Sequence, residues 1–155
     1  MLKARKVLDD CRIAYGLLES ETNESNFRVL WVAGIALARA VGHVLDKVDS
    51  KQDKKLGTII ARLYDAWKRD KTGNKIYWEF IKDERNRVLK EYEVGFLSGP
   101  IPVTASGEIF VLDENLHCPI SDGAYAGEDC RDVLKQSIEW WEMQLQAIEL
   151  EYQLP

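Results

Sequence analysis

The stretch that decides the fold is NFRVLWVAGIALARAVGHVLDKV, residues 26–48. On a helical wheel nearly every direction of this segment is apolar, except for one stripe that holds Arg39, His43 and Asp46. A helix that is apolar almost all round belongs in the middle of a helical bundle or against a second subunit. The segment therefore predicts a helical protein with a central, buried helix.

Small residues recur at every fourth position of this helix, at Gly34, Ala38 and Gly42. They form a smooth ridge that another backbone can approach closely. The ridge is consistent with a homodimer formed through this helix or through the later stretch at residues 80–93. The longest apolar run, residues 29–38, is ten residues long and too short to span a bilayer, so we expect no membrane association.

Helical periodicity extends through most of the remaining chain. Four further segments carry apolar residues at spacings of three and four, which is typical of amphipathic helices. These segments are residues 2–19, the stretch around residues 59–67, residues 75–94 and a last helix over about 126–153. The last helix contains adjacent tryptophans, Trp140 and Trp141, of which one is expected in the core and the other against a partner or against a hairpin at residues 97–123.

Residues 97–123 differ from the rest because Pro, Gly and Ser cluster there. Within them, IPVTA and EIFVL flank Ser106 and Gly107, a pattern typical of a small β-hairpin. Two strands alone are marginally stable in water, so the hairpin is expected to pack on the helices. The sequence predicts an all-α fold, an up-and-down bundle of four or five helices with this hairpin inserted before the last helix, in a single domain over residues 1–155.

Composition and charge restrict the function classes. The 155 residues are 46% hydrophobic and 30% charged with a net charge of −5, typical of a soluble globular protein. Residues 51–90 carry twelve basic and six acidic side chains, whereas residues 91–155 carry two and thirteen. The basic middle segment indicates a phosphate-binding surface or, alternatively, a charge-mixed surface whose halves attract each other. The three scattered cysteines and the absence of a secretory leader favour a reducing, cytoplasmic location.

The stretch FIKDERNRVLKEYE, residues 80–93, contains polar groups on an otherwise apolar helix face. One stripe is predicted to hold Ile81, Arg85, Val88 and Tyr92, with Glu84 beside it. Charges on such a face need partners, because burying an unpaired charge is costly.

The polar stripe of residues 26–48 offers matching partners. Glu84 with Arg39, or Asp46 with Arg85, would satisfy both helices. One interpretation is a structural ion-pair cluster that fixes two helices in register. The other is a cleft that holds a phosphate or a scissile RNA linkage.

The string RNRVLKEY, residues 85–92, resembles a motif of the HEPN superfamily of helical nucleotide-binding domains. That motif is Arg, often followed by a polar residue, then four to six residues and His. One branch, paired with nucleotidyltransferase antitoxins, has a Tyr two positions after the His. Arg85, Asn86 and Tyr92 match this pattern, and Lys90 stands where the His should be.

The resemblance implies a metal-independent ribonuclease in a homodimer, with the two motifs facing each other. Superfamily members without the His are thought to bind rather than cut. We therefore expect binding of RNA or a nucleotide-like phosphate, with weak or lost nuclease activity. In this interpretation Arg85 holds phosphate, Asn86 orients it, Lys90 adds charge, and Tyr92 donates a hydrogen bond or is modified. The alternatives are a non-catalytic interaction module and a ribonuclease toxin controlled by an antitoxin-like partner.

His43 is a second candidate base, because it lies one turn from Arg39 and an unperturbed Lys remains protonated at neutral pH. A His near Asp46 is also common as a structural hydrogen-bonding group. His117 has only Cys118 beside it, and a zinc site needs three or four ligands, so no metal or cofactor is expected.

Motifs of nucleotide hydrolases, Rossmann enzymes, serine hydrolases and di-iron bundles are absent from the sequence. Three aromatic residues of the basic segment, Trp67, Tyr77 and Trp78, have two interpretations. They could stack on bases, or at helical spacing they could belong to the core.

Overall fold

The computed structural model describes residues 1–112 and 116–154 and confirms the all-α fold with a hairpin before the last helix. Residues 113–115 of the predicted insertion lie outside the described residues. The elements in chain order are α1 (Lys3–Ser20), α2 (Glu24–Lys47), a 3₁₀ turn (Asp49–Lys51), α3 (Lys54–Arg69), a π-helical turn (Tyr77–Ile81), α4 (Lys82–Glu91), β1 (Ile101–Ala105), β2 (Glu108–Leu112) and α5 (Cys130–Gln153).

The central helix is α2, which packs against α1, α4 and α5. Its small-residue ridge faces α5: a Cβ on Gly34 would lie 2.7 Å from Leu134 Cδ2. At Ala38, the carbonyl oxygen accepts a hydrogen bond of 2.7 Å from Trp141 Nε1. The ridge is thus covered by the chain's own last helix and is not a free face for a second copy.

By length and composition alone, the segment Glu24–Lys51 is apolar enough to cross a membrane. A third of the apolar window in this segment is buried within the protein, and α2 packs against three other helices.

The N-terminus of α1 is held by a carboxylate from the 3₁₀ turn. Leu2, the N-cap residue, has no side-chain cap. Instead, Asp49 accepts hydrogen bonds from the backbone N–H groups of Lys3 and Ala4 at 2.8 and 2.9 Å. Gln52 Nε2 donates a third bond of 2.8 Å, and Asp49 is fully buried. One side chain therefore ties the first turn of α1 to the connection between α2 and α3.

The segment from Tyr77 departs from the predicted regular helix. The π-helical turn places an extra residue in one turn, which rotates the residues of α4 by about 100° relative to a continuous α-helix. Moreover, α4 ends at Glu91, and Tyr92 is left-handed with φ 53°. The predicted stripe is therefore wrong at its end, because Tyr92 lies outside the helix and is 68% exposed.

The hairpin forms in the predicted register, with Ala105 opposite Glu108 and positive φ at both Ser106 and Gly107. Its expected packing on the helices is wrong for β2, where Ile109, Phe110 and Val111 are 74%, 50% and 64% exposed.

The base of the insertion carries the packing instead. Phe96 pairs with Ile120 in a short antiparallel bridge. The ring of Phe96 packs on Phe27 and Trp31, with centroids 5.3 and 5.6 Å apart.

The last helix begins at Cys130, four residues later than predicted, because Gly127 has a φ of 88° that a helix does not accommodate. Asp129 caps it by accepting from Arg131 N at 2.9 Å. Trp140 and Trp141 are both buried, so the expected division between core and partner is wrong. Each indole has a partner within the chain. Trp140 Nε1 donates a 3.1 Å hydrogen bond to Asn74 Oδ1, and Trp141 Nε1 donates to the Ala38 carbonyl oxygen of α2.

Candidate anion-binding site

Arg39 lies on α2 beside the π-helical turn. Its Nη1 donates a 3.1 Å hydrogen bond to the Tyr77 hydroxyl, and its guanidinium lies 5.7 Å from the centroid of that ring. Gly42 makes room for this side chain, since a Cβ there would lie 3.3 Å from Arg39 Nη1. The only described partner of the guanidinium is a neutral phenol, so its charge is not neutralised.

His43 connects Arg39 to α4 electrostatically. Burial lowers the pKa of the imidazole, and the positive charges of Arg39 and Arg85 lower it further, while Asp46 opposes them. The charge of Arg85 is therefore felt at His43, although the two residues lie on different helices. We call Arg39 and Arg85, together with the neutral His43 on which both of their charges act, the cationic cluster.

Arg85 does not have the partner predicted for it. Its Nη1 donates a 3.0 Å hydrogen bond to Asn86 Oδ1, and no described carboxylate forms an ion pair with it. Asp46, its expected partner, faces Lys47 at 2.7 Å on the exposed surface. Both guanidinium groups of the cationic cluster are half-buried and lack a described counter-ion.

Glu84 is likewise not paired with Arg39 as predicted. It is buried, accepts a 3.0 Å hydrogen bond from Gly95 N, and lies 3.7 Å from Arg87. Burial raises its pKa, although Arg87 and the Gly95 N–H oppose that effect. The rotation introduced by the π-helical turn explains why both predicted pairs are wrong.

A cleft of about 490 Å³ opens beside Arg39 between α2 and α3. Arg39, His43 and Lys47 line it from α2, Tyr64 and Trp67 from α3, and Tyr77 from the π-helical turn. Arg85 and Asn86 are not among its lining residues. Two carboxylates, Asp46 on α2 and Asp65 on α3, line it as well, so the cleft combines two cations, two anions and three aromatic rings.

The structure does not bring the whole predicted motif together. Lys90 is exposed and lies five positions after Arg85, about 140° around α4. Tyr92 lies beyond the helix end, and Asn86 alone contacts Arg85. The imidazole on which the charge of Arg85 acts is thus His43, whose pKa is lowered, and it is not the residue at the motif position.

A second basic surface lies next to the cleft, within the segment whose aromatic residues the sequence offered as a stacking surface. Lys71 and Lys82 each place an ammonium group about 5 Å from the Trp78 ring, at 5.2 and 5.1 Å. Lys68 lies 4.5 Å from the Tyr64 ring, whose centroid is 6.2 Å from that of Trp78. We call these five residues the lysine–aromatic face, which meets the cleft at Tyr64.

The aromatic residues of the basic segment divide between core and surface. Trp67 and Tyr77 are buried, which favours the core interpretation for both. Trp78 is only half-buried and is the ring that the lysines surround. The signal for this surface was in the sequence, as Lys71 and Lys82 flank the aromatic run, but which ring faces outward depends on the π-helical turn.

Metal ligation has no support in residues 1–112 and 116–154, where no group of three His, Cys, Asp or Glu side chains is placed to hold an ion. His117 Nδ1 lies 3.5 Å from Asp129 Oδ2, which is a pair and not a ligand set.

Comparison with known proteins adds no relative: no family model, no curated protein and no solved structure matches the chain. The resemblance to the HEPN superfamily rests on the motif residues alone.

Proposed function

We propose that the cationic cluster and its cleft bind the phosphate groups of RNA. The observation that carries this proposal is the pair of half-buried arginines, Arg39 and Arg85, without a described counter-ion. Both guanidinium charges act electrostatically on His43, and a phosphate bound beside that imidazole would interact favourably with each of them. Arginine is also the side chain best suited to phosphate, because its planar fork donates two parallel hydrogen bonds.

The lysine–aromatic face favours RNA over a lone phosphate or a mononucleotide. Proteins that hold single strands combine a positively charged track for the backbone with aromatic rings on which bases stack. Trp78 and Tyr64 offer such rings, and Lys71 and Lys82 offer such charges, while Lys68 lies 3.5 Å from Asp65. The face continues from the cleft, so one strand can reach both.

Cleavage of that RNA is the second candidate function, and His43 is the observation that favours it. Its lowered pKa keeps the imidazole neutral at neutral pH, which is the form a general base needs. Lys90, at the motif position, is exposed and directed away from Arg85. A nuclease built on this chain would therefore use His43 with Arg39 and Arg85.

The interaction-module alternative stays open. It required the polar groups of the two helices to be buried and paired with one another, whereas Asp46 pairs with Lys47 and Glu84 lies near Arg87. Self-association stays a prediction. Because α5 covers the α2 ridge, a second copy would have to bind a different surface. Control by an antitoxin-like partner also stays a prediction. The exposed Tyr92 meets its requirement for an accessible hydroxyl.

Fluorescence anisotropy of a labelled single-stranded oligouridylate tests the proposal. Replacing Arg39 or Arg85 with Ala should weaken binding about 10-fold or more, because a charge-assisted hydrogen bond contributes roughly 1.5–3 kcal/mol. Arg62→Ala is the matched control, since its guanidinium is already paired with Glu151. Equal affinity of all four proteins would contradict the proposal.

The same oligonucleotide, incubated with purified protein in a chelator and run on a gel, separates binding from cleavage. Intact RNA, bound by the wild type, is expected for a binding protein. Fragments that appear with the wild type and not with His43→Ala would support the second candidate function. Fragments that persist with His43→Ala would exclude His43 as the base.

A further inference from the structure

Two of the three cysteines lie side by side where α5 begins. Cys130 N donates a 2.9 Å hydrogen bond to Cys118 O, and the adjacent Pro119 and Asp129 form an antiparallel bridge. Residues opposite each other at such a hydrogen bond have Cα atoms about 5.5 Å apart, which lies within the disulfide range of roughly 4.4–6.8 Å. The two thiols are in hydrogen-bond contact.

The two thiols differ in character. The hydrogen bond from Cys130 and, to a smaller extent, the positive charge of Arg131 lower the pKa of Cys118, although burial and the carboxylate of Asp129 oppose them. Burial raises the pKa of Cys130, which therefore keeps its proton. Because the thiolate is the nucleophile, Cys118 is the sulfur that reacts first and Cys130 the one that resolves it.

We propose that Cys118 and Cys130 form a reversible disulfide when the protein meets hydrogen peroxide. The Cys118 thiolate attacks one peroxide oxygen, the O–O bond breaks, and a sulfenic acid and hydroxide result. The Cys130 sulfur then attacks the sulfenyl sulfur. The S–O bond breaks, and the departing hydroxide takes the Cys130 proton to form water. The two sulfurs lose two electrons, which reduce the peroxide to two waters.

Access to the reactive thiol comes from the segment that carries it. Cys118 has no exposed surface. The two residues before it are more open, since Leu116 is 61% exposed and the side chain of His117 is 40% exposed. Because Cys118 is fully buried, this segment has to move before a peroxide can reach the sulfur. The bond then closes the loop of residues 118–130 and ties the first turn of α5 to the base of the hairpin.

Cys11 is the internal control. It is buried in α1 against α2, where its thiol donates to Gly34 O at 3.5 Å. Burial raises its pKa to about 12, so it is not expected to react while the chain is folded.

The experiment treats the full chain with hydrogen peroxide, confirms by circular dichroism that it is folded, then denatures and alkylates it. We expect an intact mass two hydrogens lighter with one alkylated cysteine, Cys11. No Lys or Arg separates Cys118 from Cys130, so both lie on one tryptic fragment, residues 91–131. Cleavage at Asp122 or Glu128 yields two pieces that should stay joined until a reductant is added.

Single variants identify the order of reaction. Cys118→Ser should abolish the cross-link and leave Cys130 alkylatable, whereas Cys130→Ser should leave a sulfenic acid at Cys118 that dimedone traps. Cys11→Ala should cross-link like the wild type, and its oxidised form should unfold at a higher temperature than its reduced form. A folded, peroxide-treated wild type whose three cysteines all alkylate, or a disulfide that includes Cys11, overturns the proposal.

Discussion

Replacement of Asp49 by Ala tests how the bundle is held together at one end. The first N–H groups of a helix have no partner within the helix, and here Asp49 satisfies two of them, at Lys3 and Ala4. Removing the carboxylate from this fully buried position leaves both donors unsatisfied, at roughly 1–3 kcal/mol each. Gln52 loses its acceptor as well. We expect the free energy of unfolding to fall by about 3–5 kcal/mol.

Urea unfolding followed by far-UV circular dichroism measures this loss. Asp46→Ala is the matched control, because this Asp is exposed and pairs only with the exposed Lys47. The control should change the free energy by no more than about 0.5 kcal/mol. If Asp49→Ala loses less than about 1 kcal/mol, or no more than the control, the carboxylate does not hold the N-terminus of α1.

Two further predictions concern packing and pH. Gly34→Ala should destabilise by about 1–3 kcal/mol, because the new Cβ would lie 2.7 Å from Leu134 Cδ2. Gly16→Ala is the control, because a Cβ there meets nothing within 4 Å, and it should stabilise α1 by roughly 0.5–1 kcal/mol. If both variants change the free energy of unfolding in urea by the same amount, α2 does not pack closely on α5. For Glu84, burial raises the pKa above its usual 4.5, so the stability it contributes is fully present below pH 4.5 and is lost as the pH rises through the raised value. The unfolding free energy of the wild type minus that of Glu84→Gln should therefore decline from acidic to neutral pH. If this difference grows over that range, the pKa of Glu84 is not raised by folding.

The elements that the sequence predicted best are those that a local residue pattern determines. The apolar wheel of residues 26–48 corresponds to α2, Glu24–Lys47, and Ser106-Gly107 forms the predicted turn. The start of α5 was predicted too early. Acidic residues such as Glu128 and Asp129 are favourable both in the first turn of a helix and at its N-cap, so they do not fix where the helix begins. The positive φ of Gly127 decides between them, and that φ depends on the surrounding bridge.

The site was predictable only in part. The stripe of Arg39, His43 and Asp46 is a direct consequence of helical spacing, and the structure places all three at the cleft. The partners across α4 could not be predicted, since a π-helical turn depends on tertiary packing of Tyr77 and Phe80 and leaves no periodic signal. One extra residue in a turn was enough to redirect every later side chain of the helix.

The proton resonances of His43 give the most direct test of phosphate binding by the cationic cluster. The chain has two histidines, so both can be titrated by NMR and assigned with a His43→Gln variant. Bound RNA should raise the pKa of His43, because phosphate offsets the positive charges of Arg39 and Arg85 that lower it. An unchanged His43 titration at a saturating oligouridylate concentration would mean that the cluster does not hold the phosphate.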